Sequence, residues 1–389
     1  MNLFGDDEPE DDNGEDAVLA FMEEMDGGAP AALLPPREAR AVAGMERHEA
    51  QLLGLFNAGK MPHALIFSGP EGIGKATFAY RLARFLFKHG AGDAGQDSLF
   101  GDAPAVPVSF DVAPDEPVFR RVASGGHADL MVAERQPDEK KSNALKKNLD
   151  ADTIRKIAPF LRMTASEGGW RVVIVDDAET MSLTAQDSLL KILEEPPPRS
   201  LLILVTSRIG AFKPTVRSRC RVFHFIPPEE PVFRDLLKQA DPDLSDADLS
   251  LLHSLSGGSP GRALTLVEEG GIQMVQSVLA PLDNWPAIDW PAAHQQAEAI
   301  GRFGNDNGWA AWQNLALWLF QSLVYARVQG ADILPAPLRR SPFPHMLASF
   351  GVTDLSRRYD SAREIISRTD HANLDRRQSV LSIYSLLSP

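Results

Sequence analysis

Cysteine is almost missing from this sequence: Cys220 is the only one in 389 residues, which excludes an internal disulfide and any multi-cysteine zinc site. No His-x-x-x-His or comparable spacing stands in for it, so no metal ligand set is expected. No stretch reaches the ~18 apolar residues that a membrane span requires. The N-terminus opens on an acidic run where a secretory leader needs positive charge and an apolar core. The chain is therefore expected to stay in the cytoplasm, with no membrane partner. Lysine and arginine are absent from residues 1–36, which instead carry eleven Asp and Glu side chains, Asp6 to Asp26. Setting those eleven aside from a formal net charge of −14 leaves the remainder at −3, nearly neutral. The acidic total thus does not exclude a DNA-facing surface.

What is present divides the chain in four. Residues 1–36 are expected to be a disordered acidic tail whose Val18–Met22 apolar island serves solubility rather than docking. From Arg37 the pattern turns helical through Leu52, Leu53 and Leu55, with Gly59 as the stop. Apolar runs at Ala64–Phe67, Asp129–Val132, Trp170–Val175, Leu201–Val205 and Val222–Phe225 then alternate with helical segments. These are led by the one carrying Phe78, Leu82, Phe85 and Leu86, with others at 150–161 and 183–193. Alternating strands and helices call for a parallel α/β sheet covered on both faces, over residues 37–227. Residues 90–118 lose all periodicity and are expected to form a flexible insertion. The lysines of 138–150 (Lys140, Lys141, Lys146, Lys147) belong to a solvated loop or a phosphate-contacting one. Residues 228–280 are helical (229–239, 245–255, 261–279). Residues 281–389 are also all-helical, and there Trp309, Trp312, Leu315, Ala316, Leu319 and Leu323 make one stripe, core rather than ligand box.

The chemistry concentrates at Gly69–Thr77. Gly69, Gly72 and Gly74 allow a tight turn whose N–H groups point at phosphate oxygens, Lys75 supplies a point charge, and the following helix adds its N-terminal dipole. The next position, where a hydroxyl would hold Mg²⁺, is Ala76. Thr77 is rotated by about 100° from it on a helix, so it is not a direct replacement. At the end of the Trp170–Val175 strand, Asp176 is placed to hold Mg²⁺ through water. Asp177 follows where a longer Glu would activate water, and Glu179 lies two further on. Thr206 and Ser207 end the next strand as γ-phosphate sensors or as plain caps. Arg219, just before a later strand, either stabilises a turn or reaches a nucleotide held by another subunit. Arg262 opens a helix and can reach back over the nucleotide, or is an ordinary surface residue. Cys220 reads as buried and inert.

The strings His63–Thr77 (HALIFSGPEGIGKAT) and Val172–Pro197 (VVIVDDAETMSLTAQDSLLKILEEPP), with the Ser218-Arg219-Cys220 triplet, resemble the clamp-loader branch of the AAA+ ATPases. The similarity covers about residues 40–265. It implies a RecA-like P-loop core (37–227), a small helical lid (228–280) and an all-helical collar for oligomerisation (281–389). It also implies a hetero-pentameric ring with tau/gamma and delta subunits, which loads a sliding clamp on primed DNA within the DNA polymerase III holoenzyme, a nucleotidyltransferase. Within that family the departures at Ala76 and Asp177 fit a non-motor, stator-type subunit with weak or vestigial ATP·Mg²⁺ binding. Arg219 would be its finger in trans and Arg262 its lid sensor. The family's four-cysteine zinc module is missing from Phe87–Asp129, so no zinc is expected. Two alternatives stand beside this: an ATP-hydrolysing motor of the tau/gamma type, and an unrelated P-loop enzyme such as a nucleotide kinase.

Overall fold

The computed structural model describes residues 34–90, 106–136, 146, 148–149, 151–166, 169–268, 270–302, 306–372 and 374–389. Residues 1–33 of the acidic tail, residues 91–105 of the expected insertion, and Lys140, Lys141 and Lys147 lie outside the described residues.

Among the described residues five strands form one sheet: β1 (Ala64–Ser68), β2 (Leu130–Ala133), β3 (Arg171–Val175), β4 (Ser200–Thr206) and β5 (Arg221–His224), in the order β2-β3-β4-β1-β5. Every pairing is parallel. β1, β3 and β4 are buried along their whole length. This is why they are spelled as continuous apolar runs rather than alternating ones: helices cover both faces, so no side of these strands meets water. One face packs Phe67, Leu201 and Phe223 against Phe78, Leu82 and Phe85 of the Lys75–His89 helix. The other packs Ile66, Val173 and Leu202 against Ile157, Leu189 and Ile192.

Two expected helices are each broken in two. The segment read as 150–161 is Ala151–Arg155 followed by Ile157–Arg162. Pro159 has no N–H to offer the Arg155 carbonyl, so the first helix cannot run through. The segment read as 261–279 is Pro260–Glu268 followed by Gly271–Leu279, with Gly270 in the left-handed region at φ 68°. Elsewhere the ends are chemically marked. Ser182 caps Leu183–Glu194 by accepting the Ala185 N–H. Ser245 and Asp248 form a reciprocal capping box on Asp246–Ser256.

Residues 106–116 of the expected insertion are tied to the core. Phe110 is buried against Phe85, ring centroids 4.7 Å apart, and its N–H donates to Glu49 Oε1 at 2.7 Å. Arg40 grips Asp111 at 2.6 Å, and Lys88 pairs with Glu116 at 2.8 Å. Sequence periodicity has no means of registering a segment anchored by one aromatic and a few charges. The N-terminal strap is held by Arg84, a buried guanidinium that donates to the carbonyls of Arg37 and Ala39 and lies over the Phe119 ring.

Beyond β5 the chain is helical. Phe233, Leu237, Leu249, Leu252 and Leu264 make a small lid core of their own. Leu251, Leu255, Val275, Val278 and Leu279 instead join a larger core with the C-terminal helices. The Asp306–Gln329 helix supplies its centre, and Trp309, Trp312, Leu315, Ala316, Leu319 and Leu323 are all buried there. The tryptophan stripe is thus internal packing. Its polar atoms are satisfied too: Trp312 Nε1 donates to Gln296 and Trp309 Nε1 to Asp370.

Candidate functional site

The loop between β1 and the Lys75–His89 helix sits at the C-terminal edge of the sheet, on a strand flanked by β4 and β5, where open α/β sheets place their ligands. Its glycines are there because no side chain fits. A Cβ on Gly69 would come within 2.3 Å of the Phe225 carbonyl oxygen. One on Gly74 (φ 93°) would meet Val42 at 2.5 Å. Gly72 has φ 75°, and a Cβ there would approach Arg262 N at 2.6 Å and Ser259 Oγ at 2.7 Å.

Those last distances show a direct joint between loop and lid. Gly261 N–H donates to the Gly72 carbonyl at 2.9 Å, and Ser259, fully buried, donates through Oγ to the Glu71 carbonyl at 2.6 Å. Neither Ser259 nor the joint was read from the sequence, since its members are nearly two hundred positions apart. The only signal was the run of small residues at Gly257–Gly261. Lys75 is folded back onto its own loop, Nζ donating to the carbonyls of Gly69 at 2.8 Å and Pro70 at 2.5 Å. Burial lowers its pKa, and the nearby carboxylates of Asp176, Glu179, Glu71 and Asp177 work against that shift.

Asp176 ends β3 facing this loop. Burial, with the Asp177 charge beside it, pushes its carboxyl up to about 6, while the Asp177 N–H donated to Oδ1 at 3.0 Å opposes the rise. Asp177 is in the left-handed region at φ 48°, and its carboxylate is held by Arg135, Nε at 2.8 Å and Nη2 at 2.6 Å. Arg135 lies two residues past the end of β2 and was not singled out in the sequence, because nothing in its spacing links it to a carboxylate on another strand. Glu179 accepts from both the N–H and the hydroxyl of Ser207. Burial works to raise its pKa, and these hydrogen bonds more than reverse the effect. Thr206 is buried and its Oγ1 accepts the Arg208 N–H at 3.0 Å. Both strand-end hydroxyls are therefore engaged inside the protein.

The fit to a magnesium nucleotide divides in half. The glycine cradle, the helix start and Lys75 suit phosphate oxygens. The metal half does not fit: Ala76 offers a methyl, Thr77 is half-buried one position on, and Asp177 is committed to Arg135.

The ionisation of Asp176 carries a test. Its folded pKa is raised from 3.8 to about 6, so its contribution to stability is full below the ordinary value and lost as pH rises through the raised one. Asp176→Asn keeps the oxygen that accepts the Asp177 N–H and removes the charge. It should raise stability at pH 8 by on the order of 2 kcal/mol, with the gain fading through pH 6 and gone below about pH 4 in thermal melts.

Arg219 stands apart from all of this. β5 is in register with β1 such that Leu65 faces Arg221 and Ser68 faces His224. Arg219, ahead of β5, is therefore at the opposite end of the sheet from the loop, some six residues or about 20 Å away along the strand direction. Its guanidinium is oriented by Glu194 at 2.9 Å and by the Thr215 carbonyl at 3.0 Å, and the side chain stays one-third exposed. Arg262 is exposed, only its backbone lies against Gly72, and among the described residues no hydrogen bond or ion pair joins its guanidinium to the loop or the acids. It lines a cleft of about 600 Å³ with Ser254, Trp318 and Tyr325. Cys220 is buried, and burial alone pushes its thiol up to about 12, as expected of an inert residue.

Comparison with known proteins bears on this arrangement. Residues 112–229 match the protein family described as DNA polymerase III, delta subunit. DNA polymerase III subunit delta' of Pseudomonas aeruginosa is 32% identical over 243 residues, 59% of this chain and 67% of that protein. Its Escherichia coli counterpart is 30% identical over 264 residues, 64% of this chain and 69% of that one. DNA polymerase III subunit gamma/tau of Mycobacterium tuberculosis is 29% identical over 242 residues, 60% of this chain and 37% of that protein.

Proposed function

Because the chain belongs to the delta-prime family of DNA polymerase III clamp-loader subunits, we propose that it is a non-motor member of such a loader and completes a neighbour's ATPase site with Arg219. The observation that carries this reading is the placement of Arg219. An arginine about 20 Å from its own phosphate loop cannot serve that loop, yet it is partly exposed and already oriented by Glu194 and the Thr215 carbonyl. Such a group is arranged for a phosphate brought by another chain.

The loop supports the same reading from the other side. Lys75 bonds to loop carbonyls, Asp177 to Arg135, Glu179 to Ser207, and the Mg²⁺ hydroxyl is replaced by Ala76. Each group that a motor would turn toward ATP has an internal partner or a missing atom. The partners that follow from this are tau/gamma motors and a delta subunit in a five-membered ring, with the sliding clamp and primed DNA engaged by the whole assembly. Any nucleotide this chain holds serves as a structural ligand.

The purified chain is expected to show no appreciable Mg²⁺-dependent ATP hydrolysis, while its addition to the motor subunits should raise theirs. Turnover near ~1 per second by the chain alone, an ordinary enzymatic rate, would replace this reading with the motor alternative.

A further inference from the structure

Between the lid and the C-terminal helices runs a cleft of about 600 Å³, the size of a site for a small ligand or a few side chains of a peptide. Its floor is one face of the Asp306–Gln329 helix, where Asn314, Trp318, Gln321, Tyr325 and Gln329 recur at steps of three and four over about 22 Å. This is not the face that carries Trp312, Leu315 and Leu319 into the core. Trp318 joins the floor to the lid, its Nε1 donating to Ser254 Oγ at 3.1 Å. Tyr325 stays 52% and Ile333 44% exposed, so the cleft shows apolar surface that the rest of the described fold does not cover.

Among the described residues Arg262 is the only charged side chain lining the cleft, and its guanidinium has neither hydrogen bond nor ion pair. Two more cations stand at the margin. Arg339 donates through Nε to the Leu334 carbonyl at 2.6 Å, between the lining residues Ile333 and Pro335, and Arg363 is 5.8 Å from the ring of Tyr359. Asp332 and Asp360 are the acids next to lining residues in sequence, and neither lines the cleft. The side-chain amides of Asn314, Gln321 and Gln329 each offer donors and an acceptor, which is what an unpaired peptide backbone needs. The guest that this lining suits is a short peptide with apolar side chains and carboxylates.

We propose that the cleft is an intramolecular docking site for the acidic N-terminal segment, with Val18–Met22 on the aromatic floor and the flanking carboxylates of Asp16, Glu23 and Glu24 toward Arg262. This gives the island a docking role in place of the solubility role that composition alone suggests. Residues 1–36 bring eleven acids and no base, the complement of a cleft whose one lining charge is positive. The tether is long enough. From Ala20 to Leu34 are fourteen residues, at most about 50 Å of chain. The strap then carries Leu34 to Val42 within about 28 Å, Val42 lies against Gly74, and Gly72 lies against Arg262. Such a tether holds its end at an effective concentration on the order of a millimolar. A site that binds the free segment at only ~0.1 mM is then filled about nine times in ten. A segment of another chain competes without that advantage, so the protein's own segment is the favoured occupant. The docking site is independent of the role of Arg219.

The test places a fluorophore on the full chain at Met25→Cys, where buried Cys220 does not compete for the label, and reads its anisotropy. Docking predicts restricted rotation that is relieved by Arg262→Glu, by Tyr325→Ala and by an excess of unlabelled peptide spanning residues 15–27. Reversal at Arg262 exchanges attraction for repulsion, and the free-to-docked ratio should rise about tenfold or more. Both residues are exposed, so each variant should melt as wild type does. Glu23→Lys/Glu24→Lys added to the Arg262→Glu chain should restore the restriction, a rescue that a damaged lid cannot give. Equal anisotropy in wild type, Arg262→Glu and Tyr325→Ala chains would overturn the docking site. Release by Arg262→Glu that the reversed tail does not restore would overturn it too. A freely rotating tail in wild type, with gamma/tau-type subunit binding lost in Tyr325→Ala, would assign the cleft to a neighbouring chain and likewise overturn it.

Discussion

An Arg219→Ala chain, assembled into a complete loader, should leave the complex intact and slow ATP hydrolysis at the adjacent site by a factor on the order of 10³ or more. Assembly is spared because the side chain makes one surface ion pair and one hydrogen bond to a carbonyl, contacts of small worth to the fold. Hydrolysis is not, because a guanidinium that meets the γ-phosphate only as charge develops stabilises the transition state selectively. Lysine in its place should recover little, since it lacks the planar fork that Glu194 and Thr215 orient. The measurement is steady-state turnover of the reconstituted complex, with sedimentation to confirm stoichiometry. Turnover within twofold of wild type would refute the trans role.

Gly72→Ala should have the second large effect, on the joint between core and lid. Residue 72 has φ 75°, where an L side chain costs about 1–2 kcal/mol. The added methyl would also lie 2.6 Å from the Arg262 nitrogen and 2.7 Å from Ser259 Oγ. Backbone and a fully buried serine cannot swing aside, so overpacking adds about 1–3 kcal/mol. The expected outcome is a loss of about 2–5 kcal/mol in denaturant melts, together with faster hydrogen exchange at the Gly261 amide as its bond to the Gly72 carbonyl opens. Gly54→Ala, in a helix and with nothing within 4 Å of its added Cβ, is the matched control and should be neutral or slightly stabilising. Wild-type exchange at Gly261 in the Gly72 variant would mean that the joint is held elsewhere.

How far the sequence exposed this molecule depended on how local each cause is. β1, β3 and β4 were legible because burial on both faces writes itself into a run of consecutive apolar residues. The phosphate loop was legible because its glycines, its lysine and the flanking strand and helix lie within a dozen positions. Pro159 and Gly270 each broke a helix that apolar spacing alone made continuous. The pairs that decide what the site does were out of reach. Arg135 meets Asp177 across two strands, 42 positions apart, and Ser259 meets Glu71 across 188. Its place in the chain leaves Arg262 open between reaching over the nucleotide and an ordinary surface residue, and among the described residues no hydrogen bond or ion pair joins its guanidinium to the loop. The sidedness of Arg219 was implicit in a parallel sheet, but it took the β1–β5 register to turn sequence order into opposite ends.

The lid's divided allegiance has a mechanical meaning. Through Leu251, Leu255, Val275, Val278 and Leu279 it is welded to the C-terminal helices by a common apolar interior. It meets the α/β core at the phosphate loop through two hydrogen bonds and a pair of glycines. The stiff arm is long and its pivot is narrow. A small rotation at Gly72 would be magnified into a large sweep at the far end of the C-terminal helices, so clamping that pivot with bonds internal to the protein fixes the bearing of everything that follows β5.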